Sequence, residues 1–334
     1  MAMSGVRNIV VEDADSGQRL DRWLRNRFPN LKQGKIQKLL RTGQIRLDGA
    51  RSKAADRVEE GQTVRIPPNI EDLDQDHAEK PSLGGMDIET AGRLGDELKE
   101  SIIYIDDDIL AINKPPGLAV QGGSGTDTHI DGALDRLKLG AKERPRLVHR
   151  LDKDTSGVLL LARTRASAAR LAKAFKDRET RKIYWAAVVG KPPHEGGMID
   201  APLAKLPGQR GDLVQVDENM GKSAKTRFRV IDQASKAVTW LELEPLTGRT
   251  HQLRVHCQLM GNPIVGDAKY GERDSAVFEA GIARKLHLHA RAIMLPRKNK
   301  PPIQITAPLP AHMLDTWKTL GFDPEDEQAQ LIDL

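Results

Sequence analysis

The sequence predicts an α+β protein with two basic domains and an acidic segment between them. Helical spacing of apolar residues occurs at 20–28 and 166–176, whereas apolar runs of strand length occur at 102–112 and 158–162. Residues 71–100 contain ten acidic residues against three basic ones, so charge changes sharply along the chain. A chain of 334 residues is long enough for two or three domains.

Charge, cysteine content and the lengths of the apolar runs indicate which class of protein this is. Lys and Arg number 52 against 47 Asp and Glu, and the resulting net charge of +5 suggests a polyanionic partner. Cys257 is the single cysteine, so we expect no intrachain disulfide, as is typical of a reducing compartment. Residues 1–17 lack the apolar core of a signal peptide, and no apolar run reaches membrane-spanning length. We therefore expect a cytoplasmic protein with no membrane partner.

The first domain is predicted to contain two short helices. The first helix presents one apolar face, formed by Leu20, Trp23, Leu24 and Phe28. The second helix buries Ile36, Leu39 and Leu40, and Gly43 is a plausible stop. Strands are predicted at 45–49 and 64–68.

The outer face of the second helix carries three cations, Lys35, Lys38 and Arg41. By themselves they would be interpreted as a solvated helix face. However, two short helices followed by a basic strand that ends in Asp-Gly resemble the S4 RNA-binding domain, a small α/β domain. The resemblance implies that these cations contact RNA phosphates, which position a protein without reading sequence.

The charge pattern and these elements give a domain plan. Residues 1–16 are an N-terminal segment, and 17–68 form the S4-like domain. Residues 69–99 are interpreted as an acidic linker. The second domain is expected over 100–322, before an acidic tail at 323–334.

A polar segment precedes a buried strand near the middle of the second domain. His149–Gly157 runs directly into the apolar stretch Val158–Ala162, and loops at strand ends often carry chemistry. Asp152 follows Arg150 by two residues, and an ionised carboxylate can act as a nucleophile or a base. Thr155–Gly157 has the composition of a turn. By shape alone the segment would be a solvated turn with a weak surface ion pair.

Two further segments stand out. A strand is predicted at 181–188, where a tyrosine such as Tyr184 would ordinarily be packing. Leu246–His256 combines Arg249, His251 and Arg254, and the spacing of its apolar residues favours the start of a helix.

Metal sites are not indicated by residue spacing. Asp106–Asp108 is interpreted as the polar turn of a hairpin, because no spaced partner ligands follow. The pair of His251 and His256 lacks a third ligand at metal spacing. His287 and His289 alternate on a predicted strand and are interpreted as packing near the sheet surface. The loop Gln121–Gly125 lacks the Lys-Ser/Thr ending of a phosphate-binding loop.

The nine residues His149–Gly157 resemble the signature of the RluA-type pseudouridine synthases. Lys182-Ile183-Tyr184 and Leu246–His256 resemble two further motifs of that family, and Gly261–Gly271 resembles the continuation of the latter. The resemblance implies a mixed, mostly antiparallel sheet and no metal, nucleotide or redox cofactor. It also implies that Asp152 is the catalytic nucleophile, that Tyr184 lies beside the target base, and that Arg254 pairs with Asp152.

The implied activity is isomerisation of uridine to pseudouridine in RNA. Gly122–Gly125 resembles a segment of the synthases that act on large-subunit rRNA, so that RNA is the expected partner of a monomeric enzyme, with no DNA partner. Arg150, Arg249 and His251 join the basic helix face as expected RNA-binding residues. Alternatives are a synthase of another RNA such as tRNA, a non-catalytic S4-domain assembly protein, and a metal-dependent nuclease.

Overall fold

The computed structural model divides into two compact units, residues 1–80 and 81–334, which are described separately. It describes most of the chain, namely residues 6–28, 31, 33–68, 70, 86–123, 126–206, 213–271, 276–297, 300–326 and 329. In this part of the chain no helix is long and apolar enough to cross a membrane.

The first unit packs two helices against a small antiparallel sheet with the strand order β1-β3-β2. Its elements are β1 (Arg7–Val10), α1 (Leu20–Arg27), α2 (Gln33–Arg41), β2 (Arg46–Leu47) and β3 (Thr63–Ile66). The predicted apolar faces of both helices are buried in one core, which confirms the helical spacing in the sequence. Gly43 follows α2 with a φ of +69°, a left-handed conformation typical of a helix stop.

The outer face of α2 carries the predicted cations. Lys38 and Arg41 are exposed and Lys35 is half-buried. Among the described residues, no carboxylate lies within ion-pair distance of these three side chains. Their charges are therefore available to an external anion.

The second unit is built on a ten-stranded sheet with the central order β4-β5-β7-β14-β8-β13-β12-β9. Its strands are β4 (Ile102–Ile105), β5 (Ile109–Lys114), β6 (Arg146–Leu147), β7 (Ser156–Ala162), β8 (Arg181–Val189), β9 (Gly196–Asp200), β10 (Leu203–Lys205), β11 (Val214–Val216), β12 (Lys225–Ala234), β13 (Val238–Pro245), β14 (Leu288–Arg297) and β15 (Lys300–Thr306). Strands β6 and β15 pair with β7 and β14, whereas β10 and β11 form a separate hairpin.

Helices flank this sheet. They are α3 (Ile88–Glu100), α4 (Ile130–Ala133), α5 (Arg165–Lys176), α6 (Gln252–Leu259) and α7 (Ala311–Leu320). Every strand pair of the large sheet is antiparallel in the described residues except β7 with β14. The expected mixed, mostly antiparallel sheet is confirmed.

The interpretation of 69–99 as an acidic linker is wrong for its C-terminal part. Asp87 caps α3 by accepting a hydrogen bond from the backbone N–H of Thr90, and Leu94 and Leu98 are buried in the core of the second unit. The acidic residues lie on the solvent side of an amphipathic helix, so composition masked its helical spacing. Residues 71–85 lie outside the described residues, as do Ser124 and Gly125 of the predicted loop.

Ser156 and Gly157 begin strand β7 rather than a turn, because both pair with β14. The hydroxyl of Ser156 lies 2.9 Å from Nδ1 of His289. Gly157 has a φ of +109°, and a Cβ atom there would lie 2.2 Å from the carbonyl oxygen of Ala290. Only glycine fits this approach.

The histidines of the predicted His-Leu-His segment are buried structural groups. His287 approaches the carbonyl oxygen of Lys285 at 2.7 Å and the hydroxyl of Thr316 at 2.8 Å. Both rings of the pair are fully buried, and burial lowers the pKa of His287 to about 4 and of His289 to about 3. Both rings are therefore neutral at neutral pH.

These depressed pKa values predict acid sensitivity. Below pH ~6.5 the unfolded chain protonates both histidines while the folded chain does not, so the free energy of unfolding falls as pH drops from ~6.5 to ~4. Each ring contributes at most about 1.4 kcal/mol per pH unit. Urea denaturation at several pH values gives the free energy of unfolding as a function of pH. We expect this free energy to change less steeply with pH in His287→Gln than in the parent. The exposed His194, changed to Gln, is the matched control; equal slopes for all three proteins would contradict the assignment.

Candidate active site

A cavity of about 900 Å³ opens in the second unit. Its wall is formed by the segment that precedes β7, by strand β8 and by the chain from Glu244 to Arg254. Seven cations line it: Arg150, Lys176, Arg178, Arg181, Lys182, Arg249 and Arg254. Within the described part of the chain, three acids line it: Asp152, Glu179 and Glu244. The cavity is thus basic and suits a polyanionic ligand.

A buried lysine fixes the loop that carries Asp152. The ammonium group of Lys114 donates to the carbonyl oxygens of Pro115 at 2.8 Å, Leu118 at 2.9 Å and Lys153 at 2.8 Å. Lys114 is fully buried, and burial lowers its pKa to about 7 against the opposing charges of Asp154 and Asp152. Lys153 directly follows Asp152, so the hydrogen bond from Lys114 to its carbonyl oxygen fixes the backbone beside Asp152.

His149 fixes the other end of the same loop. Its Nε2 atom accepts a hydrogen bond of 2.8 Å from the backbone N–H of Leu160, and its ring stacks on Phe175 with centroids 4.7 Å apart. Burial lowers the pKa of His149 to about 3, so the ring remains a neutral acceptor. The loop is therefore held at both ends, with Asp152 half-buried between them.

Arg254 faces Asp152 from helix α6. The closest atoms, Nη1 and Oδ2, are 3.9 Å apart, so the predicted pair is an ion pair without a direct hydrogen bond. The guanidinium instead makes two short hydrogen bonds to Asp267, from Nε at 2.7 Å and from Nη2 at 2.6 Å. Asp267 thus fixes the direction in which Arg254 points. Burial is the largest single effect and lowers the pKa of Arg254, but Asp267, with smaller contributions from Asp152 and Tyr270, raises the pKa above its ordinary value.

His251 is the second group that faces Asp152. Its Nε2 atom lies 4.0 Å from Oδ2 of Asp152, and its Nδ1 atom lies 2.8 Å from the hydroxyl of Tyr270. The backbone of His251 is left-handed, with a φ of 53°, immediately before α6. Such backbone strain in a residue other than glycine recurs at functional sites.

Gln252 and His256 attach α6 to strand β12. The side-chain amide of Gln252 accepts from Thr247 at 2.7 Å and donates to the carbonyl oxygen of Lys225 at 2.9 Å. His256 lies 2.9 Å from the hydroxyl of Thr226. These residues therefore hold the helix while Arg254 points into the cavity.

Tyr184 lies on β8 and lines the cavity, opposite Leu243 of β13 and Ala290 of β14. Burial, with a smaller contribution from the Asp152 carboxylate, raises the pKa of Tyr184 well above its ordinary value. The phenol stays protonated at neutral pH. Its aromatic face can stack on a planar ligand.

The structure brings six of the predicted site residues to the lining of this cavity: Asp152, Tyr184, Arg254, Arg150, Arg249 and His251. Arg150 and Arg249 are exposed, and Nε of Arg249 donates to the carbonyl oxygen of Ser223 at 3.1 Å. Lys35, Lys38 and Arg41 belong to the first unit. Among the described residues, no three His, Cys, Asp or Glu side chains are grouped so that they could hold a metal ion.

Three contributing residues were not singled out from the sequence. Lys114, Asp267 and Tyr270 make their contacts through atoms distant in the chain. Asp267 and Tyr270 lie within the second motif, and Lys114 precedes a Pro-Pro-Gly turn. Their positions in a motif and before a turn indicate a structural role. They do not indicate which atoms these side chains bind.

We expect Lys114→Met to destabilise the second unit. The substitution keeps the length of the side chain but leaves three carbonyl oxygens without their donor, which costs on the order of 3 kcal/mol. Thermal and urea denaturation measure this loss. Lys99→Met, which removes an exposed ion pair with Asp96, serves as the control with an effect below about 1 kcal/mol. Equal stability of the two variants would show that Lys114 does not hold the loop.

The chain is similar to known proteins over the range that contains this site. The family model described as RNA pseudouridylate synthase matches residues 108–259, a range that includes Asp152, Tyr184 and Arg254. "Ribosomal large subunit pseudouridine synthase C" of Vibrio cholerae is 38% identical over 312 residues, which cover 92% of this chain and 95% of that protein. The protein of the same name from Rickettsia bellii is 36% identical over 290 residues, which cover 87% and 93%.

The fold is also similar to that of a solved RNA pseudouridylate synthase structure. The solved structure "Human RNA Pseudouridylate Synthase Domain Containing 4" superposes with a TM-score of 0.60 at 28% identity, covering 70% of this chain and 97% of that one. Sequence and fold agree that the chain belongs to the RluA family of RNA pseudouridine synthases, enzymes that isomerise uridine to pseudouridine in RNA.

Proposed function

We propose that Asp152 is the residue that starts this isomerisation and that large-subunit rRNA is the substrate. The observation that carries the assignment is the position of the Asp152 carboxylate. It lies in a basic cavity with two fixed cationic or polar groups, Arg254 and His251, at 3.9 and 4.0 Å.

The reaction needs few groups. The bond between C1′ and N1 of the uridine must break, the uracil must turn, and C5 must bond to C1′. C5 loses a proton and N1 gains one, so no oxidant or external energy source is consumed. Asp152 either attacks C1′ or removes a proton beside it, and both routes need the unprotonated carboxylate.

Arg254 stabilises and orients that carboxylate. Asp267 occupies the Nε–Nη2 edge of the guanidinium, and Nη1 is the nitrogen that lies nearest to Asp152. A fixed cation beside a reacting carboxylate stabilises charge without reorganisation during the reaction.

Tyr184 supports the base rather than the sugar. A uridine that reaches this cavity must leave its stack, and an aromatic face replaces the lost stacking. Tyr184 lines the same cavity as Asp152, so we assign its ring to this stacking.

The substrate assignment rests on the relatives, two of which are named for the ribosomal large subunit. The basic cavity and the basic face of α2 suit a long RNA, with Arg150 and Arg249 contacting the backbone near the target. We further propose that residues 17–68 act as an S4-like RNA clamp and that the enzyme works as a cytoplasmic monomer. Mapping pseudouridine in all cellular RNA with and without the protein tests the substrate, and sites confined to tRNA would overturn it.

We expect Asp152→Asn to abolish pseudouridine formation, by at least 1,000-fold, on the order of a lost nucleophile. The amide keeps the shape of the side chain but removes its charge. Activity is measured on an rRNA transcript beside thermal denaturation, which should change little. Asp154→Asn is the matched control, because Asp154 is exposed in the same loop and does not line the cavity. Activity of Asp152→Asn within tenfold of the parent would refute the assignment.

The proposed clamp predicts a change in salt dependence. Replacing Lys35, Lys38 and Arg41 together by Ala should weaken binding to an rRNA transcript and reduce the slope of log K against log salt concentration. Each lost phosphate contact removes about 0.7–0.9 from that slope. Filter binding at several salt concentrations measures both quantities.

A charge-matched control separates local contacts from net charge. On the second unit Arg170 and Lys173 are exposed and Lys99 is half-buried, and each pairs with a carboxylate. Changing these three to Ala removes the same charge and should leave the slope near that of the parent. If both triple variants behaved alike, the face of α2 would not be the clamp.

A further inference from the structure

The hydroxyl of Tyr270 has two hydrogen-bond partners, one of which can only donate to it. The backbone N–H of Val214 donates to the Tyr270 oxygen at 3.0 Å, and Nδ1 of His251 lies 2.8 Å from the same oxygen. The tyrosine is buried, and the described residues offer its hydroxyl no further partner. A buried hydroxyl proton without an acceptor is unfavourable, so the proton points to Nδ1 of His251.

This arrangement determines the tautomer of His251. A neutral imidazole has one N–H donor and one acceptor nitrogen. Because Nδ1 accepts the hydroxyl proton of Tyr270, the ring proton resides on Nε2. That nitrogen faces the cavity, 4.0 Å from Oδ2 of Asp152.

The surroundings keep the ring neutral. Burial is the largest effect and lowers the pKa of His251, and the nearby charges of Arg254 and Lys269 lower it further. Asp152 and Asp267 oppose this shift. The His251 ring thus offers a fixed N–H group that it does not release at neutral pH.

We propose that His251 is a catalytic residue that donates this Nε2–H hydrogen bond to the uracil carbonyl oxygen next to N1, and that Tyr270 is the positioning residue that sets the tautomer. The proposal rests on the role of Asp152 given above. When the bond between C1′ and N1 breaks, its electron pair passes to the uracil, and the carbonyl oxygen beside N1 shares the negative charge. A donor next to the carboxylate that acts at C1′ lies within reach of that oxygen and stabilises the charge.

The separation of the two groups supports this placement. At 4.0 Å the Nε2–H group is too far from Asp152 for a direct hydrogen bond, so its donor is not consumed by the carboxylate. The left-handed backbone of His251 and the contact with Tyr270 hold the ring in this orientation before substrate arrives. Preorganised donors of this kind act where charge develops during a reaction.

Nitrogen-15 NMR of the full-length protein labelled at histidine tests the tautomer directly at pH 7. The signals of His251 are identified by their absence in His251→Gln. We expect a protonated Nε2 and an unprotonated Nδ1 in the parent, and a mixture of tautomers in Tyr270→Phe. A parent ring protonated at Nδ1, or at both nitrogens, would overturn the proposal even if every variant lost activity.

Kinetics on a large-subunit rRNA transcript tests the donor. His251→Leu should lower kcat at least 100-fold, whereas His251→Gln, whose amide also offers an N–H group, should stay within about tenfold of the parent. Tyr270→Phe should lower kcat about tenfold with little change in KM. Tyr104→Phe is the control, because its hydroxyl binds Asp106 away from the cavity. Parent-like turnover by His251→Leu would refute the role.

The outcomes separate this inference from the function on which it rests. If Asp152→Asn stayed active, the assignment of Asp152 would fail while the tautomer of His251 could still be read by NMR. If Asp152 were essential but His251→Leu were fully active, only the role of His251 would fail.

Discussion

The parallel pairing of β7 with β14 is the constraint on which the active site depends. It places the loop of Asp152 at the end of a strand whose neighbour, β14, separates it from β8, the strand of Tyr184. The pairing requires a backbone without a side chain at residue 157, where the carbonyl of Ala290 occupies the space of a Cβ atom. The Ser-Gly that ends the first motif is thus explained by sheet packing rather than by chemistry.

Local structure was predictable because it depends on residues close in the chain. The helices at 20–28 and 166–176, the hairpin at 102–112 and the strand of Tyr184 all follow from apolar spacing. Helix α3 does not follow from composition, because its acidic residues resemble those of a linker, whereas Leu94 and Leu98 have the spacing of a helix. Where charge and periodicity disagreed, periodicity was the better guide.

The candidate site was predictable only in part. Asp152, Tyr184 and Arg254 were identified by resemblance to a family, and the structure brings all three to one cavity. The partners that orient them could not be read from the sequence. Asp267 binds Arg254 across 13 positions, and Lys114 binds the carbonyl of Lys153 across 39. Such contacts arise from tertiary packing, for which a single sequence carries no local signal.

The turn from Asp267 to Tyr270 supports both groups that face Asp152. Asp267 binds Arg254 and also accepts from the backbone N–H of Tyr270, whose hydroxyl binds His251. A shift of this turn would therefore displace both groups together, so their contributions to the rate should be strongly coupled rather than additive. Gly266, where a Cβ atom would lie 1.9 Å from the carbonyl of Lys285, fixes the start of the turn. A substitution of Gly266 would therefore lower the reaction rate as a simultaneous change of Arg254 and His251 would, although Gly266 itself lies outside the cavity lining.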